Sequence, residues 1–200
     1  MTLSALIYDC EIKKCIPPRD GKLQLGLEYC QGWDDFAGMG VAVVGVWDCL
    51  ENLPRVFGES SIDQLQALAR QRLYCVGFNS HKFDRALLAA NGVEIAAHQS
   101  YDILRELWIA SGLDPDAYDY KTHGGYSLND CAITNFGMRK SGTGELAPVL
   151  WQQGRHMDVA DYCLRDVMLT RRLFLRAMQN DGAIKHPRTG EIVKIRVPKI

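Results

Sequence analysis

The chain has 200 residues, 47% of them hydrophobic, with 23 Lys and Arg against 24 Asp and Glu for a formal charge of −1. This is the composition of one soluble globular domain over 1–200 with a full-sized core, and it offers no global positive field, so long nucleic acid would have to be gripped locally. No apolar run approaches the ~20 residues of a membrane span, no signal peptide is expected, and the seven cysteines, odd in number and without a C-x-x-C pair, point to buried thiols in a reducing, cytoplasmic setting rather than to disulfides or zinc.

Residues 3–12 open as a nearly continuous apolar run, the pattern of a strand buried on both faces, and end in Asp9 and Glu11. Side chains two apart on a strand share a face, so the two carboxylates converge at the end of a core strand. Such a pair repels and is costly to bury unless a cation holds it, although a strand running out into a polar turn also accounts for it. The stretch 13–39 is long for a plain connection and reads as a loop covering or feeding a site. Residues 40–47 and 55–57 form the second and third strands, and Ser61-Ile62-Asp63-Gln64 has the capping-box pattern for a helix to Arg70. The fourth strand covers 73–78, a helix over 83–90 stops at Asn91-Gly92, and a fifth strand near 96–101 precedes a helix over 103–111. Residues 112–126 form a surface loop whose Tyr118, Tyr120 and His123 are candidates to line the mouth of a site. Ser127 caps a helix to 136, a polar loop covers 138–144, a short helix lies near Leu150, and a long helix spans 157–180. The end, 183–200, is a hairpin turning at 186–190. Short links between the first three strands and helical crossovers afterwards give an α/β fold, a mixed five-stranded sheet flanked by helices.

Two further carboxylates stand out. Asp84 opens a helix just after Asn79 ends a strand, and strand ends of α/β sheets carry the ligand crevice; complementing the helix dipole explains Asp84 equally well. On the last helix, Tyr162 and Asp166 are four apart and share a face with Val159, Leu169, Leu173 and Ala177, while Asp158, Asp161, Arg165, Arg172 and Arg176 fall opposite. An aspartate on the apolar face needs a partner, because burying its charge alone costs on the order of several kcal/mol.

Asp9-x-Glu11, Asn79-x-x-x-Phe83-Asp84 and Tyr162-x-x-x-Asp166, in this order, resemble the three motifs of DEDD 3′–5′ exonucleases of the tyrosine subclass (DEDDy), which includes the proofreading domains of family B DNA polymerases. Gly77-Phe78-Asn79, Tyr101-Asp102-Ile103-Leu104, Ser127-Leu128 and the run from Tyr162 to Thr170 are similar to the same branch. The resemblance covers 3–182 and implies an RNase H-like fold. It implies two Mg2+ or Mn2+ ions, with Asp9 bridging both, Glu11 and Asp166 completing the first site, and Asp84 supporting the second. It implies that Tyr162 orients the attacking water, that Ile12 and Phe83 touch the terminal bases, and that Asn79 touches the sugar-phosphate. The partner implied is the 3′ end of nucleic acid, single-stranded DNA before RNA, degraded stepwise to 5′-mononucleotides.

Independently, four carboxylates with no balancing cation among them suit hard divalent ions. His156 and Asp161 have the spacing of the histidine subclass, but Asp161 lies on the charged stripe, so the tyrosine register is preferred. Lys13, Lys14, Arg139 and Lys140 are either phosphate contacts or solvated surface. Two other readings stay open: a non-catalytic nucleic-acid or protein-binding module on the same fold, and a phosphodiesterase for short oligonucleotides or a specialised RNA end.

Overall fold

The structure, a computed structural model, describes residues 3–140, 142 and 144–199. Strands β1 (Ala5–Ile12), β2 (Val41–Asp48), β3 (Leu53–Phe57), β4 (Tyr74–Gly77) and β5 (Ser100–Asp102) form one sheet in the order β3-β2-β1-β4-β5. The first three strands pair antiparallel, whereas β1–β4 and β4–β5 are parallel, the mixture that the connection lengths predict. Pro54 has no N–H to donate, and β3 accommodates it because it is an edge strand. A two-stranded hairpin of β6 (Ala183–Lys185) and β7 (Ile192–Lys194) closes the chain.

The helices are α1 (Phe36–Met39), α2 (Ile62–Arg70), α3 (Asp84–Ala90), α4 (Ile103–Ala110), α5 (Tyr120–His123), α6 (Leu128–Phe136), α7 (Ala147–Gln152) and α8 (His156–Gln179). The two-residue period of β1 sorts its side chains into two cores. Leu6, Tyr8, Cys10 and Ile12 pack with Leu65 and Ala69 of α2 and Leu87 and Leu88 of α3. Ala5 and Ile7 pack with Ile103 and Leu107 of α4 and Val167, Leu173 and Phe174 of α8. Asp9 and Glu11 continue that second row, which turns them towards α8.

Burial along α8 follows the predicted stripe: Val159, Asp166, Leu169, Leu173 and Ala177 are buried. Asp161 and Arg165 pair at 2.6 Å on the outer side. Arg176 departs from the stripe, lying over the Phe136 ring and donating to the Asn135 carbonyl. Beside the start of β1, opposite Leu6, buried Asp48 accepts from Arg72 Nε at 3.0 Å and Nη2 at 2.7 Å.

Several local readings need correction. Ser61 does not cap α2; its hydroxyl accepts the Gly58 amide and donates to the Gly58 carbonyl, closing a 3₁₀ turn at Glu59–Ser61. The fifth strand starts at Ser100, because the Ala96 and Ala97 carbonyls take the Gln99 and Ser100 amides into a turn. The two long loops contain the short helices α1 and α5, capped by Asp35 and Asp119. His123 is not a mouth residue. It is buried edge-on against Trp108, and its Nε2 meets the Asp114 carbonyl, so aromatic packing outweighs solvation. Tyr118 and Tyr120 remain exposed. Among the described residues no helix is long and apolar enough to cross a membrane.

Candidate metal centre

The β1–β4 ladder ends at Ile7 and Val76, so β1 runs on without that neighbour and leaves a crevice beside Asp9 and Glu11. Asp84, in the first turn of α3, reaches it: its Oδ1 accepts the Cys10 amide at 2.9 Å, which fixes a third carboxylate against the strand at the residue between Asp9 and Glu11. On the other side of β1 the pairing with β2 slips between Glu11 and Ile12. A bulge of this kind ends regular pairing and re-aims side chains.

The turn that delivers Asp84 is built by small residues and one clamp. A Cβ at Gly77 would lie 2.4 Å from Ser80 Cβ, so only glycine admits the turn. Asn79 has φ +61, a left-handed conformation that asparagine tolerates. Asp102 accepts the Asn79 amide on Oδ1 and the His81 amide on Oδ2, each at 2.9 Å, and also caps α4 through the Leu104 amide. An aspartate before a helix is legible as a cap; its grip on the Asn79 turn is not.

The fourth carboxylate comes from α8. Gly45 of β2 lies opposite Asp9, and a Cβ there would sit 2.9 Å from Cys163 Sγ, so the missing side chain lets α8 settle onto the sheet. Cys163 Sγ accepts the Gly45 amide and donates to the Asp9 carbonyl, both at 3.2 Å. Among the described residues, Asp9, Glu11 and Cys163 form a group whose ligating atoms all lie within 4.8 Å of one another. Tyr162 and Asp166 flank this cysteine on the same helix.

Burial raises the carboxyl pKa of Asp9 and Glu11 well above the usual range, with the Asp84 charge adding most at Asp9 and the Asp166 charge most at Glu11. Burial pushes Asp84 up to about 7 against the opposing Cys10 amide. Burial also raises Asp166, although Lys140 opposes it. Lys140 Nζ stands 2.5 Å from Asp166 Oδ2 and 5.4 Å from the centre of the Tyr162 ring, and the Lys140 amide is held by Asn129 Oδ1. Burial disfavours the Lys140 ammonium, but Asp166 more than offsets this. The carboxylates therefore do have a balancing cation, contrary to the sequence reading. Asp166 Oδ1 and the Tyr162 hydroxyl are buried and have no hydrogen-bond partner among the described residues.

Of the residues singled out in the sequence, Asp9, Glu11, Asp84, Tyr162 and Asp166 gather here. Asn79 is exposed at the crevice edge. Phe83 is half-buried edge-on to Phe36 at 6.0 Å. Ile12 is 6% exposed and packs with Cys30, Met39 and Val41, so it presents little free surface. Lys13 and Lys14 pair with Glu59 at 2.5 Å and Glu28 at 3.3 Å. His156 is exposed and stacks on Trp151 at 4.0 Å, away from the row that carries Asp166. Cys163 and Lys140 are the members that sequence reasoning missed or left on the surface. No protein-family model matches the chain, and a search of curated proteins finds no match.

Proposed function

We propose that the protein is a metal-dependent 3′–5′ exonuclease of the DEDDy type on an RNase H-like fold, hydrolysing phosphodiester bonds from the 3′ end of nucleic acid, single-stranded DNA before RNA. One observation carries this reading. Four carboxylates from three separate elements converge and repel one another, Asp9 half-buried and the other three buried, and Asp166 Oδ1 is left without a partner. Such a cluster is costly unless cations neutralise it. Lys140 stands against Asp166 as a cation would, and the oxygen donors suit Mg2+ or Mn2+. The mixed sheet with helices on both faces agrees with the fold that the motif resemblance implies.

Asp9, Glu11, Asp84 and Asp166 would hold the ions. Such ions would supply an activated water and charge stabilisation for the departing 3′ oxygen. The remaining work belongs to the chain. Burial raises the Tyr162 hydroxyl, so it stays protonated at neutral pH and orients the water rather than removing its proton. Asp102 fixes the turn that presents Asn79 to the sugar-phosphate. Phe83 gives a base an apolar face, a contact worth ~1–3 kcal/mol and indifferent to sequence.

The test is hydrolysis of a labelled single strand with Mg2+ by the wild type, Asp9→Ala and Asp166→Ala. Each variant is expected to lose roughly three orders of magnitude in rate, from the several kcal/mol that catalytic metals supply, with the fold intact. Near-normal turnover by either purified variant rules the assignment out.

A further inference from the structure

We infer that Asp9, Glu11 and Cys163 form a site for a thiophilic divalent ion, zinc first among them, which blocks the centre when occupied. Their ligating atoms lie within 4.8 Å of one another, and Cys163 Sγ is 3.7 Å from Asp9 Oδ2. Tetrahedral zinc with bonds of ~2.3 Å to sulfur and ~2.0 Å to oxygen separates those two donors by ~3.5 Å. The thiol and the Asp9 carboxylate thus already stand at the spacing that zinc requires. The thiol is also aimed: the Gly45 amide and the Asp9 carbonyl, each at 3.2 Å, hold it towards Asp9.

A further acid stands beside this group. Asp166 is 2% exposed and its Oδ1 has no partner among the described residues. It follows Cys163 by three residues on α8, the spacing that puts two side chains on one side of a helix. On binding, the thiol proton leaves to solvent, the S–H bond to the Asp9 carbonyl gives way to a sulfur–zinc bond, and the Gly45 amide remains as donor to the thiolate. Magnesium, a hard ion, stays on the oxygens, whereas thiolate ligands select zinc. Zinc on Asp9 and Glu11 excludes the productive ions. This blocking rests on the proposed exonuclease reading; the binding rests on donor geometry alone.

The experiment uses the full, reduced, metal-free chain and Cd2+, whose bond to a thiolate gives an ultraviolet charge-transfer band. One equivalent of Cd2+ is expected to develop the band in the wild type, zinc to remove it, and Cys163→Ser to lack it. Glu11→Gln, which leaves the thiol and its neighbours in place, is expected to weaken Cd2+ binding by at least about tenfold. A full band in folded Cys163→Ser overturns the site, as does unchanged affinity in Glu11→Gln, which decides the matter if the cysteine variant does not fold. In Mg2+-supported hydrolysis, each protein relative to its own uninhibited rate, the zinc inhibition constant is expected to rise about tenfold or more in Cys163→Ser. Equal constants overturn the blocking. If the wild type hydrolyses nothing, the exonuclease reading fails and the cadmium band still decides the site.

Discussion

Asp84 accepts the Cys10 amide and carries a carboxyl that burial raises to about 7, so its charge opposes folding when no ion is present. An unfolded aspartate titrates near ~3.9. Between those pH values the folded protein keeps a proton that the unfolded chain has lost, so this group's contribution to stability falls as pH rises. Asp84→Asn keeps the acceptor and removes the charge. In metal-free protein its advantage over the wild type is expected to be near zero at pH ~4 and to grow to on the order of 4 kcal/mol above pH ~7, read by urea unfolding across pH, with Mg2+ shrinking it. A gain that does not change with pH contradicts this. Tyr162→Phe removes a hydroxyl and no ligand, so single-turnover hydrolysis is expected to fall ~10²-fold while metal binding persists. His156→Ala and Asp161→Asn, on the outer side of the helix, are expected to stay within ~2-fold. The opposite pattern would place the catalytic register on the histidine. Asp166 was legible in the sequence because helical periodicity set it among buried neighbours. Cys163 was not, since its meaning depends on Asp9, 154 residues away.

The elements that read correctly keep their determinants close in sequence. Ser127 and Asp130 hold each other's amides and open α6, and Gly137 ends it at φ +68. The same local pattern failed at Ser61, whose hydroxyl is taken by Gly58. The fit of α8 on the sheet lies between these cases: its apolar stripe was visible, but the residue that allows its approach, Gly45, lies on another strand. Gly45→Val would drive a side chain into Cys163 and Val167, whose nearest atoms lie 2.9 and 3.2 Å from a Cβ there. The expected cost is ~1–3 kcal/mol in urea unfolding, with weaker Mg2+ binding because Asp166 moves with the helix. Unchanged metal affinity would separate the seating of α8 from the centre.

Across the whole molecule, β1 is anchored at both ends by opposite means. Arg72 locks Asp48 beside the start of the strand, a satisfied buried pair, while the far end gathers carboxylates that Lys140 only partly answers. The mixed sheet followed from connection lengths and hydrophobic pattern. The crevice between β1 and β4 did not, because where a ladder stops depends on the turn that Asp102 clamps. A formal charge of −1 leaves no global positive field around the molecule. In the proposed function, this end of the sheet uses divalent ions to cut at a free 3′ terminus. The most direct measurement follows a 5′-labelled single strand, the same strand blocked at its 3′ end, and a circular single strand, with and without Mg2+. A metal-dependent ladder shortening from the 3′ side, a resistant blocked strand and an intact circle are expected; a cut circle, or no metal-dependent cleavage of any of the three, rules the exonuclease out.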